Sequence, residues 1–181
     1  MRKALLLAAP LLALAIGCAS SIPNRNPVGE TFPALQSKAL DKKQWDLPAD
    51  LAGKPAVLLV GYKMDAQFDI DRWLNGLTMF KTPVKILEVP TINSPVPKLY
   101  KNQIDEGMRS GIPEADWGSV VTVYGDAKSV VKLTGNENGR NARVLLVDGA
   151  GKIVWFQDHG YSARLMSELD AKVREMDAAA K

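Results

Sequence analysis

The spacing of apolar positions changes several times along the chain, and each change marks an element. Ala56 to Tyr62 is a continuous apolar run, the pattern of a strand covered on both faces and therefore central in a sheet. Ile70, Trp73, Leu74 and Leu77 then recur at spacings of three and four, which predicts a helix. Asp65, Asp69 and Asp71 fall in its early turns, where carboxylates complement the positive end of the helix dipole, and Asp65 or Asp69 is the expected N-cap. After the break at Pro83, Val84 to Val89 reads as a second strand. Strand, helix, strand at this spacing implies a right-handed parallel crossover.

Upstream, two short extended segments, Leu35 to Leu40 and Gln44 to Leu47, are joined by the polar turn Asp41 to Lys43. Downstream, Pro90 to Pro97 reads as a proline-rich loop. Lys98 to Met108 reads as a helix with Leu99, Ile104 and Met108 inward, and Ser119 to Tyr124 as a third strand. Asp126 to Leu133 fits either a helical turn or a strand, and Asn136 to Arg140 is a turn or loop with its strongest signal at Asn138 and Gly139. Arg143 to Asp148, the turn Gly149 to Gly151, and Lys152 to Gln157 predict an antiparallel hairpin. Ser162 caps a closing helix whose Leu165, Met166, Leu169, Val173 and Met176 share one face. The sum is an α/β domain over residues 28–181.

The first 27 residues have another character. Arg2 and Lys3 precede an uncharged apolar run, Ala4 to Ile16, that is too short for a resident membrane-spanning helix and reads as a signal peptide over residues 1–17. It ends in Ala15, Ile16, Gly17 and Cys18, which resembles the lipobox of bacterial lipoproteins, where the cysteine is lipidated and becomes the mature N-terminus. Residues 18–27, polar and punctuated by Pro23 and Pro27, then read as a lipidated tether that leaves the domain room to move. The expected partner at this end is a membrane, reached through the lipid on Cys18, with the domain outside the cytoplasm. Ala19 is compatible with sorting to the periplasmic face of an outer membrane.

Length and composition narrow the chemistry. The chain has 181 residues, 46% of them hydrophobic, enough for one domain with its own core. Its 23 basic and 20 acidic residues nearly balance once Arg2 and Lys3 are assigned to the leader, so no global charge draws it to nucleic acid. One cysteine and one histidine exclude a dithiol pair, an intramolecular disulfide, a cysteine-rich zinc site and a histidine cluster. With Cys18 acylated, the remaining chain has no thiol, and no cofactor is expected.

Crossover, hairpin and closing helix together resemble the thioredoxin-like fold, with a central mixed sheet flanked by helices and an N-terminal extension. Gly29 to Pro33 and Leu47 to Val60 resemble the opening of peroxiredoxin and extracytoplasmic thioredoxin domains. Val144 to Asp148, Gly151 to Trp155 and Gly160 resemble their hairpin. In the active members a nucleophilic cysteine follows the central strand at the start of the next helix, a place held here by Met64, Asp65, Ala66 and Gln67. Ala142 stands where thioredoxins often carry a substrate-touching cis-proline, and the two cysteines of copper-delivery relatives are absent. These departures count against oxidoreductase, peroxidase and copper chaperone. Trp73, Leu74, Glu88 to Pro90, Met108 to Pro113 and Leu145 to Trp155 are also similar to the mitochondrial ATPase-complex assembly factor family, thioredoxin-like proteins without a redox motif. That resemblance implies a chaperone or assembly role exercised by protein contact, here with an envelope protein.

The fold's substrate-facing end supplies the candidate contact surface: Met64, Asp65 and Gln67, the approach Asn141 to Arg143, and the turn His159 to Tyr161. Trp117, between Asp116 and Gly118 in a loop, is a further candidate interface residue. The competing expectation is an enzyme using Asp65, Arg143 and His159 on a small substrate. Asp65, Asp69 and Asp71 lack the glycine-bearing loop and terminal glutamate of a calcium site, so they read as helix-start carboxylates. Gly149, Gly151 and Lys152 lack the spacing of a phosphate loop. Arg109, Arg140 and Arg143 remain as cations that an acidic partner would meet.

Overall fold

The computed structural model describes residues 21–93 and 98–179, with side chains at 98 and 99 left aside. The signal peptide, the lipobox and Cys18 lie outside the described residues, as does the inward placement of Leu99. Eleven elements follow in order: β1 (Leu35–Ala39), β2 (Gln44–Leu47), β3 (Ala56–Gly61), α1 (Gln67–Phe80), β4 (Lys85–Pro90), α2 (Lys98–Gly111), β5 (Val121–Thr122), α3 (Ala127–Thr134), β6 (Arg143–Val147), β7 (Ile153–Gln157) and α4 (Ala163–Ala179).

The apolar run of β3 is central, as its pattern predicts. The main sheet has the order β4-β3-β6-β7, with β3 parallel to β4 and antiparallel to β6, and β6 antiparallel to β7. All six β3 residues are buried because both faces of the sheet are covered. Alternate side chains divide between two cores. Val57, Leu59, Val144 and Leu146 face Ile70, Trp73 and Leu77 of α1 and Leu165, Met166, Leu169 and Val173 of α4. Leu58, Val60, Leu87 and Leu145 face Phe32, Trp45, Leu47 and Val130 on the other side. Helices α1 and α4 approach so closely at Gly76 that a Cβ there would lie 2.9 Å from the Met166 sulfur. Helix α1 stops at Lys81, whose left-handed backbone returns its N–H to the Leu77 and Thr78 carbonyls. The Ser162 hydroxyl accepts from the Leu165 N–H at 3.3 Å and starts α4.

Several expectations need correction. The third strand shrinks to Val121 and Thr122, because Glu114–Ser119 winds as a 3₁₀ helix first. It joins β1 and β2 in a separate sheet of order β2-β1-β5, with isolated parallel bridges beside it, Glu88 to Val120 and Thr91 to Val123, linking the two sheets. The ambiguous segment after Asp126 is the helix α3, with Val130, Val131 and Leu133 buried. Neither Asp65 nor Asp69 caps α1: its N-cap is Ala66, without a side-chain bond, because a 3₁₀ turn over Met64–Ala66 runs straight into the helix.

The expected free tether is in part a strap. Ile22 and Asn136 exchange bonds, the Ile22 N–H to the Asn136 Oδ1 at 2.7 Å and the Asn136 N–H to the Ile22 carbonyl at 2.9 Å. Asn24 N–H reaches Glu137, and Arg25 N–H reaches the Thr134 carbonyl. Gly29 and Glu30 then pair with Ile153, so the chain lies along the domain from Ile22 onward. Gly135 permits this: at φ +70° it has the backbone glycine favours, and a Cβ there would collide with Pro23.

Candidate functional site

At one end of the main sheet, β3 runs out into the turn before α1, β6 begins, and β7 runs out into the turn before α4. Buried charges hold these three loops. Asp69, in the first turn of α1, is 5% exposed. Its Oδ2 accepts from the Ala142 N–H at 3.0 Å and its Oδ1 from the Tyr161 N–H at 2.8 Å. One carboxylate thus ties α1 to the loop before β6 and the loop after β7, through bonds stronger than their neutral counterparts. The expectation missed this role, although Asp69 lies four residues before Trp73, on the apolar face of the helix.

Arg143 is fully buried, which takes it out of any contact surface. Its Nη1 donates to the Asn138 and Asn141 carbonyls at 3.1 and 2.9 Å. Its Nη2 donates to the Glu137 carbonyl and to Asn24 Oδ1 of the strap. The guanidinium lies over the Tyr62 ring, 5.3 Å from its centroid. Burial lowers its pKa from the ordinary arginine value, while nearby Tyr62 and Asp158 oppose the shift. The fork of five donors suits a loop whose carbonyls converge from several directions. Tyr62 in turn bonds the Val130 carbonyl at 3.1 Å and Thr134 Oγ1 at 2.6 Å. Burial pushes its phenol up to about 12, against the Thr134 bond and the Arg143 charge.

Two large apolar side chains are exposed at this end among polar ones. Met64 is 92% and Phe68 71% exposed, one helical turn apart. Beside them opens a polar cleft of about 880 Å³ lined by Ser21, Lys63, Arg140 and the loop from Asn136 to Asn141. Asp65 pairs with Arg140 across 3.4 Å, and the Lys63 chain packs over Gly139. Gln67 is exposed, and its amide donates to Asp71 at 2.9 Å and to Glu88 at 3.2 Å. Burial raises the Glu88 pKa above the usual glutamate value, the Gln67 bond opposing and Asp71 and Asp116 adding to the rise.

The other candidates separate. Tyr161 is half-buried with its ring edge-on to Trp73 at 5.4 Å. His159 is exposed and sits 3.3 Å from Asp158. Of the three residues of the small-substrate expectation, Asp65 engages Arg140, Arg143 engages backbone carbonyls, and His159 engages Asp158. Likewise Asp65, Asp69 and Asp71 turn to different partners. Trp117 is anchored rather than presented: its indole donates to the Ile112 carbonyl at 2.9 Å, and Arg109 covers the ring. It lines a different cleft, with Leu40, Glu106 and Arg109. Arg109 itself donates to the Leu40 carbonyl at 2.6 Å.

No family model matches the chain. No curated protein is similar to it in sequence. Solved structures are similar in fold. The thioredoxin domain of a thiol-disulfide oxidoreductase from Bacteroides vulgatus matches with TM-score 0.55 at 20% identity, covering 81% of this chain and 97% of that one. Yeast Sco1 matches with TM-score 0.55 at 12% identity, over 80% and 95% of the two chains. An exposed lipoprotein thioredoxin of Streptococcus pneumoniae matches with TM-score 0.53 at 12% identity, over 79% and 99%. The central four-stranded mixed sheet with its flanking helices matches these neighbours over about four fifths of the chain, and the chain has the thioredoxin-like fold.

Proposed function

We propose that this protein is a thioredoxin-like lipoprotein of the bacterial envelope, anchored by lipid on Cys18, that binds another envelope protein as a chaperone or assembly factor. It is not an enzyme in this reading. The observation that carries it is the pairing of Met64 and Phe68, 92% and 71% exposed, with loops locked from behind by Asp69 and Arg143. A rigid rim with an exposed apolar pair loses little conformational entropy on association. Large apolar side chains in such a setting are the usual anchors of a protein interface. The single cysteine, Cys18, precedes the domain, so the rim carries no thiol for exchange. The assembly role is what the resemblance of Met108 to Pro113 and Leu145 to Trp155 to the mitochondrial ATPase-complex assembly factors implies.

The test is affinity capture from detergent-solubilised envelopes with the full-length chain and with its Met64→Ser, Phe68→Ser double variant. A discrete protein recovered by the first and reduced at least tenfold with the second is the expected result. Equal recovery removes this surface from consideration. Mass spectrometry of the mature N-terminus should find acylated Cys18; a free thiol there contradicts the anchor.

A further inference from the structure

One buried charge at the rim end takes no part in locking the loops. Asp158 is 7% exposed. Among the described residues its carboxylate meets one partner, the exposed His159 ring, whose Nδ1 lies 3.3 Å from Oδ1. Arg143 spends its bonds on the Glu137, Asn138 and Asn141 carbonyls and on Asn24, and reaches Asp158 only through its field. Buried carboxylates are ordinarily paired or held by several donors, because desolvation otherwise costs free energy. Asp158 instead lines a cleft of about 250 Å³, with Phe156 to His159 on one wall and Asn24 to Asn26 of the strap on the other. Gln157, on the same wall, carries a buried Oε1 that no donor reaches among the described residues.

We propose that this cleft binds a primary alkylammonium group, with Asp158 as its counter-ion and Gln157 Oε1 as a second acceptor. Neither Met64 nor Phe68 lines the cleft, so the proposal stands apart from the reading of the rim as a protein-binding surface.

The chemistry of the lining selects the ligand. Acceptors without donors call for a group that donates, and one carboxylate balances one positive charge. An ammonium brings its several N–H donors on a single charge. A calcium or magnesium ion takes about six or more oxygen ligands, more than one carboxylate and one amide oxygen supply. No group of three or more carboxylate, histidine or cysteine side chains that could hold a metal stands together among the described residues. Phe156 offers an apolar wall for the aliphatic stem behind the ammonium. The volume lies just below the ~300–1,000 Å³ usual for small-molecule sites, which suits a short chain.

The test titrates the isotope-labelled full-length chain with n-butylammonium, with Nα-acetyl-lysine amide and with tetramethylammonium at constant pH and ionic strength. It follows the amide resonances of Asn24, Gln157 and Asp158 and the ring of His159. Saturable shifts with n-butylammonium are expected, weakened about tenfold or more in Asp158→Asn. Tetramethylammonium, which carries the same charge without an N–H donor, should produce none. Shifts with the lysine derivative as well assign the ammonium to a protein side chain, and shifts with n-butylammonium alone to a free amine; both support the site. Because its carboxylate holds only an exposed ring, Asp158→Asn should unfold at or above the native midpoint. No response to either amine, or equal shifts with tetramethylammonium or in Asp158→Asn, overturns the site. So does an Asp158→Asn protein that unfolds well below the native one, since Asp158 is then a structural counter-charge of Arg143.

Discussion

The two ends of the main sheet are closed by different means. At the hairpin end the charged restraint is local, Asp148 Oδ1 accepting from the Ala150 and Lys152 N–H groups at 2.9 Å each, and the long-range bonds, from the Gly53 N–H to the Gly149 carbonyl and from the Phe32 N–H to the Gly151 carbonyl, join neutral backbone groups. At the rim end the bonds join residues far apart in sequence, Asp69 to Ala142 and Tyr161, and Arg143 to Asn24. A local turn needs few residues to agree and tolerates the loss of one bond. A rim held by two buried charges is rigid only while both are present. The fold has placed its strongest polar restraints behind the surface proposed to grip a partner.

The sharpest way to break this contrast is Arg143→Met. It removes the donors that satisfy three backbone carbonyls and Asn24, and should lower stability by about 3 kcal/mol in urea unfolding, with an unchanged m value. Arg143→Lys should recover little, since an ammonium cannot reproduce the planar fork. Asp69→Ala comes next, at about 2 kcal/mol, because the Ala142 and Tyr161 N–H groups lose a charged acceptor. Asp148→Ala at the opposite end should cost clearly less, and equal losses at the two ends would erase the distinction. Gly135→Ala acts on the strap and on the α3 C-cap that Gly135 forms: about 1 kcal/mol of stability, with new tryptic cleavage at Arg25 as Pro23 is pushed away.

Tyr62→Phe should be the mildest at neutral pH, about 1 kcal/mol for the bonds to Val130 and Thr134. It sharpens the comparison through its pH dependence. The folded state holds the Tyr62 phenol neutral, with a pKa raised from 10.0 to about 12. That preference is fully present below pH 10 and is lost as pH rises from 10 toward 12. The native protein should therefore lose stability over that interval more steeply than Tyr62→Phe, as read by unfolding midpoints at successive pH values. Parallel curves for the two proteins would show that Tyr62 carries no such linkage.

Much of this fold was legible in the sequence because it rests on local periodicity. The run from Ala56, the three-and-four spacing from Ile70 to Leu77 and the hairpin around Gly149 to Gly151 each report their own environment. The short strand Val121–Thr122 was harder, since its extent is set by the 3₁₀ helix before it and by a second sheet. The site was half legible. Met64 could be placed at the rim by its position after the central strand, but Phe68, more exposed than any aromatic pattern predicts, was passed over. Arg143 heads an apolar strand and reads from the sequence as free to meet a partner, whereas the carbonyls of the loop before it and the distant Asn24 enclose it. No spacing rule encodes such convergence, because one partner, Asn24, lies 119 residues away and the rest are carbonyls of an irregular loop.

The claim beneath all of this is that a thioredoxin-like scaffold here serves contact without sulfur exchange. Its most direct test is the initial rate of disulfide reduction and peroxide consumption by the purified, acylated protein over a range of protein concentrations. Rates indistinguishable from buffer at every concentration are predicted; turnover that rises in proportion to protein would contradict the claim.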